Sequence, residues 1–186
     1  MTNILAVCTG NVCRSPATER LLGSRLGPAA NVEVHSAGTS ALVGAPIDGP
    51  VAELLREAGV DPTDFTARRL VPEHVRAADL VLVMTREHRS AVVAVEPAAV
   101  RRTLLLREAA VLATAITREG WPIDVSGEAA ARLAALPRLA GRHRPDIARM
   151  SDLEVEDPYQ RSTDVYQRSV AVITEAVDAL AAALVG

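Results

Sequence analysis

Aromatic side chains are nearly missing from this chain: one Phe, one Trp and two Tyr stand among 186 residues. A core cannot be organised around stacked rings here and has to be built from Ala, Val and Leu. Cysteine is as scarce. Cys8 and Cys13 fall in one short stretch, which is no disulfide framework of the kind that staples secreted domains. No run approaches the roughly 20 apolar residues that span a bilayer. The first apolar run is short and has no basic leader, so neither a signal peptide nor membrane insertion is expected, and a reducing cytoplasm is the expected setting. There is no excess of positive charge: 20 basic against 23 acidic residues leave a net charge of −3, with no electrostatic case for nucleic acid. His35, His74, His88 and His143 show no metal-ligand spacing with each other or with the cysteines, so no metal cofactor is expected and they read as surface or satisfied histidines. The Gly-x4-Gly-Lys loop of nucleotide-binding proteins is also missing, which leaves ATP chemistry unsupported.

What is present is a long enough, apolar enough chain for one domain: 49% of its residues are hydrophobic. Strand-like and helix-like segments alternate. Asn3–Val7 reads as a buried parallel strand, apolar without alternation. Ser15 fits an N-cap with Pro16 opening a helix to about Leu26. Val32–His35 is a second strand, ending in the small-residue loop Ser36-Ala37-Gly38-Thr39-Ser40. Pro50–Ala58 is a helix closed by Gly59. Leu80–Met84 is a third strand, Thr85–Val95 a helix, Arg102–Leu106 a fourth strand followed by helix to about Thr117, and Ser162–Leu184 a long amphipathic helix. The order implies an α/β fold, a central four-stranded parallel sheet with helices on both faces in a three-layer α/β/α arrangement. Ligands bind such sheets at the carboxyl ends of the strands. Cys8 lies just past the first strand, and Ser36 and Ser40 lie just past the second.

Cys8-Thr9-Gly10-Asn11-Val12-Cys13-Arg14-Ser15 is the most informative segment. Strand, tight loop and helix in that order make an anion cradle, because loop N–H groups and the positive helix end converge on one point. The same field favours a thiolate at Cys8. Arg14 is out of place at a helix N-terminus unless an anion sits there, and its planar fork suits two phosphoryl oxygens. Asn11 tolerates the left-handed backbone a tight loop needs, and its side chain could tie the loop to Ser36 or Ser40. Cys13 has two readings: a small residue filling space under the loop, or a redox guard that forms a disulfide with oxidised Cys8. Asp157 stands among Asp152, Glu154 and Glu156. It is either part of a solvated acidic loop or, held extended by Pro158, a carboxyl presented into a cleft. Tyr159 is an exposed ring or the wall against which a substrate ring stacks.

The Cys-x5-Arg-Ser segment and the distant Asp157-Pro158-Tyr159 together resemble the low-molecular-weight protein tyrosine phosphatases. The resemblance covers most of the chain except about residues 118–150, which read as a helical insertion with the run Gly127–Leu139 and the basic tract Arg142-His143-Arg144. It implies a phosphotyrosine protein phosphatase I-like fold and no cofactor. It makes Cys8 the nucleophile, Arg14 the cation that holds the phosphoryl group and Asp157 the general acid. Thr9, Gly10, Asn11, Val12, Cys13 and Ser15 would bind phosphate, with Ser15 also donating to the sulfur, Tyr159 would contact the substrate ring, and Ser36 and Ser40 would support the loop. The implied activity is hydrolysis of protein phosphotyrosine through a phosphocysteine intermediate, or of a small phosphomonoester. A tyrosine kinase and its targets are the implied partners. The chain departs from that pattern at Phe65, where many relatives carry a loop histidine that steadies the phosphate loop, at Leu42, where an aromatic residue often lines the cleft, and at Gln160, where a second tyrosine often follows. An arsenate reductase on the same fold and a phosphotyrosine-binding protein without turnover are the rival readings.

Overall fold

Ile4, Leu5, Ala6 and Val7 are all buried, as a strand covered on both faces requires, and they form the middle of β1 (Thr2–Cys8). The computed structural model describes residues 2–125, 127–143, 147, 150 and 152–186. β1 pairs in parallel with β2 (Val32–Gly38) on one side and β3 (Leu80–Val83) on the other. β3 pairs in parallel with β4 (Thr103–Leu105). The four-stranded order is therefore β2-β1-β3-β4, and the chain reverses direction of travel across the sheet at β1. That is the switch point at which such sheets open a ligand crevice beyond their carboxyl ends.

The helices are α1 (Arg14–Leu26), α2 (Gly49–Glu57), α3 (Pro72–Ala77), α4 (Arg86–Val95), α5 (Leu106–Glu119), α6 (Ala129–Leu139) and α7 (Thr163–Val185). They flank the sheet in an α/β/α arrangement. The long α7 buries Val170, Ile173, Val177, Leu180 and Leu184, a stripe at helical spacing, against α1 and α5. The core is mainly aliphatic: its largest fully buried side chains are Leu, Ile and Met. Among the described residues no helix is long and apolar enough to cross a membrane.

Three local expectations need correction. The segment Ser36–Gly38 is not loop but the buried end of β2, in register with Ala6–Cys8, because small residues let this edge strand run on beside the tight loop. Gly38 is required there: a Cβ on it would lie 2.5 Å from the carbonyl oxygen of Thr9. Ser15 is not the N-cap of α1. The helix starts at Arg14, Cys13 occupies the cap without a side-chain bond, and the Ser15 hydroxyl is engaged elsewhere. The six-residue α3 carries too short a pattern to stand out in the sequence. The expected helix from Gly127 begins at Ala129 and keeps Pro137 inside it. Arg144 of the basic tract lies outside the described residues.

Candidate active site

The loop from Cys8 to Ser15 turns at Asn11, whose φ of 54° is left-handed, a conformation Asn adopts more readily than most residues. The Asn11 amide is buried and bonded at both ends. Its Oδ1 accepts from the Arg68 N–H at 2.8 Å. Its Nδ2 donates to the Ser36 hydroxyl at 2.8 Å and to the Ser15 hydroxyl at 3.0 Å. Of the two expected anchors, Ser36 takes the Asn11 side chain. Ser40 instead donates its backbone N–H to the Thr9 carbonyl. The carbonyls of Cys8, Thr9, Gly10 and Val12 accept from Thr39, Ser40, Leu42 and Asp48 respectively. With the carbonyls tied outward, the N–H groups of residues 9 to 13 find no acceptor among the described residues. Orphan backbone donors in a folded loop are rare, and a ring of them at a helix N-terminus is an anion site.

Cys8 is buried and lies 3.0 Å from the Ser15 oxygen. That Ser15 oxygen already accepts from Asn11, so its own proton is available to the sulfur. Both cysteines are free thiols. Cys13 is 3% exposed; burial first, then the nearby Asp48 carboxylate, pushes its thiol well above the ordinary range, so it is held neutral.

Arg14 is 4% exposed and anchored by one prong, Nη1 donating to the Val155 carbonyl at 3.2 Å. The other edge of the guanidinium behaves differently. Nη2 pairs with Asp157 Oδ2 at 2.5 Å, and Nε is buried without a partner among the described residues. Nε and Nη2 form the fork that takes two oxygens of one oxyanion. Asp157 thus occupies half of a bidentate site in this state. Its other oxygen accepts from the Tyr159 N–H at 3.2 Å.

His88 is a site residue that the sequence did not single out beyond a satisfied histidine. It is buried at the start of α4, with Nδ1 2.9 Å from the Thr85 hydroxyl and Nε2 2.9 Å from the Thr9 hydroxyl. Burial, and next the Arg14 cation, push its pKa down to about 4, so it is neutral at physiological pH. The one available signal was its place three residues after Thr85, the N-cap of α4.

A cleft of about 140 Å³ brings these groups together, lined by the loop, Arg14, Ser40, Leu42, Asp157 and Tyr159. Its walls are aliphatic at Leu42 and aromatic at Tyr159, both partly exposed. Phe65 does not touch the phosphate loop through any polar group. Its ring lies under the Arg20 guanidinium at 5.8 Å, and the steadying bond to Asn11 comes from the Arg68 N–H instead.

The chain is similar in sequence and fold to known proteins. The family described as low molecular weight phosphotyrosine protein phosphatase matches residues 3–113. The low molecular weight protein-tyrosine-phosphatase Etp of Escherichia coli K12 is 43% identical over 103 residues, 55% of this chain and 68% of Etp. Among solved structures, the tyrosine phosphatase AmsI of Erwinia amylovora aligns with a TM-score of 0.69 at 26% identity, covering 96% of this chain and 90% of AmsI. The arginine phosphatase YwlE of Geobacillus stearothermophilus aligns with a TM-score of 0.70 at 26% identity, covering 98% and 92%. The matched family segment carries the phosphate loop but stops short of Asp157, so the joining of the two is a finding of the fold. With that join, the chain belongs to the low molecular weight phosphotyrosine protein phosphatase family.

Proposed function

We propose that this protein hydrolyses aryl phosphomonoesters, foremost phosphotyrosine in proteins, with Cys8, Arg14 and Asp157 in the reacting roles. The observation that carries the reading is the ring of unbonded N–H groups and the half-free Arg14 fork in the cleft lined by the Cys8 thiol. A bound phosphate takes the N–H groups of the loop and both Nε and Nη2 of Arg14, while the Val155 carbonyl keeps hold of Nη1. Asp157 is displaced from the guanidinium and turns to the leaving oxygen. The Cys8 thiolate attacks phosphorus, and the bond from phosphorus to the tyrosyl oxygen breaks in line. Asp157, which takes up a proton from solvent once it leaves the Arg14 cation, protonates that oxygen. The phosphocysteine then yields to water, whose proton Asp157 takes back, and the S–P bond breaks to return the thiolate and phosphate. Ser15 donates to the sulfur before it attacks and again as it departs from phosphorus. The charge on the equatorial oxygens is met by Arg14 and preorganised dipoles, so the scheme calls for no metal.

The cleft favours an aryl group. Its side walls are Leu42 and Tyr159, and among the described residues its only carboxylate is Asp157. A phosphoarginine guanidinium would have no second anion to meet it, whereas a phenyl ring packs between the two apolar walls. Partners under this reading are tyrosine-phosphorylated proteins or small aryl phosphates, together with the kinase that makes them, in the cytoplasm. Residues 118–150 would be an insertion in the chain between the phosphate loop and the acid, leaving one domain.

Phosphate release from p-nitrophenyl phosphate in the presence of EDTA tests the scheme. Turnover is expected in wild type, falling by more than about 10⁴-fold in Cys8→Ser and by about 10²–10⁴-fold in Asp157→Ala. A folded, reduced protein without turnover would turn attention to arsenate-dependent thiol oxidation or to phosphopeptide binding alone.

A further inference from the structure

We propose that Tyr166 is a positioning residue that fixes the Asp157 loop to the phosphate loop through Asp48. The inference rests on the catalytic reading above. Tyr166 sits in the first turn of α7, buried. Its hydroxyl donates to Asp48 Oδ2 at 2.7 Å and accepts from the Gln160 N–H at 3.2 Å. Asp48 in turn donates its own N–H to the Val12 carbonyl at 2.9 Å. A single line of hydrogen bonds therefore runs from the phosphate loop through Asp48 and Tyr166 to the turn that follows Asp157.

That turn needs an anchor. The Arg161 N–H closes it onto the Pro158 carbonyl at 3.0 Å, and Gln160 within it has a φ of 58°. A non-glycine residue in the left-handed region is costly and persists only when its surroundings hold it. The bond from Gln160 to the Tyr166 oxygen supplies that hold on the far side of Asp157. On the near side, the Ser169 hydroxyl donates to the Glu156 carbonyl at 3.0 Å. Both anchors project from α7, one turn apart, and they bracket the acid. Burial and the bond to Asp48 push the Tyr166 phenol up to about 12, so it remains a donor throughout the working range.

The role is separable from a general effect on folding. Tyr166→Phe keeps the ring and removes one hydroxyl. If the hydroxyl positions Asp157, kcat/KM for phenyl phosphate, whose leaving group needs a proton, falls about 5- to 30-fold. The value for 2,4-dinitrophenyl phosphate, whose leaving group does not, stays within about twofold. Asp48→Ala gives the same split, and the double variant is no worse than either single one, as expected for members of one network. A second readout does not depend on activity. The chain contains no lysine, so trypsin cuts only after arginine, and cleavage after the exposed Arg161 is expected to quicken several-fold in Tyr166→Phe at unchanged thermal midpoint. Equal loss on both substrates, or no loss on either, overturns the proposal. Should wild type prove inactive on both substrates, the catalytic reading fails, and unchanged cleavage at Arg161 would then overturn the tether as well.

Discussion

The phosphate loop and the acid loop are ordered in opposite ways. In the first, polar side chains are buried inside the loop: Asn11, Ser15 and Ser36 are each at most 1% exposed and bonded to one another. In the second, Asp157 is half exposed, and its backbone is pinned from outside by Arg14 on Val155, Ser169 on Glu156 and Tyr166 on Gln160. The difference fits two kinds of chemistry. An oxyanion cradle gains from donors that cannot relax, because reorganisation at the moment of reaction is what it avoids. An acid that serves one step as donor and the next as acceptor has to leave Arg14 and face solvent, so only its backbone can be fixed.

Arg14 belongs to both regions, and changing it should break the comparison most. Arg14→Lys keeps the charge but loses the fork, and a single ammonium cannot serve the Val155 carbonyl and a bidentate oxyanion together. We expect kcat/KM on p-nitrophenyl phosphate to fall about 10²–10³-fold. Asp157→Asn removes the partner without the fork and should leave phosphate or vanadate binding intact or tighter, since the carboxylate that competes for Nη2 is gone. A Lys variant with near-normal kcat/KM would mean that the fork is not used.

Asn11 tests the claim that the cradle is prefabricated. Asn11→Ala leaves the Arg68 N–H, Ser36 and Ser15 without their shared partner in a buried setting. A stability loss of about 3 kcal/mol is expected from the unmet groups, read as a lower midpoint in urea. Activity should fall on good and poor leaving groups alike, in contrast to the split expected at Tyr166. If Asn11→Ala shows the leaving-group split instead, the two loops are not independently ordered.

The sequence carried one of these regions far better than the other. Cys8, Arg14, Asn11 and Ser15 were legible because a strand, a glycine-bearing loop and a helix start are local signals, and the resemblance named their roles. The layout of four strands was also legible, since each is a short apolar run between helical periods. The identity of the tethers was not. Asn11 choosing Ser36 over Ser40 depends on the register of β2 against β1. Tyr166 is seven residues past Tyr159 and looks like any helical core position. His88 reaches Thr9 across 79 residues of sequence. Phe65 and Leu42 stood out as departures from a pattern, yet the bond feared lost at Phe65 is supplied by a backbone N–H, which no side-chain motif can advertise.

His88 sharpens the comparison on the phosphate-loop side, where a titratable group is buried neutral and no solvent can accommodate its charge. Its folded pKa of about 4 lies below the value of about 6.5 expected unfolded. The unfolded chain therefore binds more protons between these values, and stability falls as pH drops through that window. The contribution is complete above about pH 6.5 and exhausted below about pH 4. Linkage gives a loss of roughly 2 kcal/mol between pH 7 and pH 5 from this group. Gln at this position can still offer an amide N–H toward Thr9 but does not titrate, so urea unfolding of His88→Gln should show a flatter pH dependence over that interval by about the same amount. Equal slopes in wild type and His88→Gln would show that His88 is solvated when it protonates, and that the phosphate loop is looser than its hydrogen bonds imply.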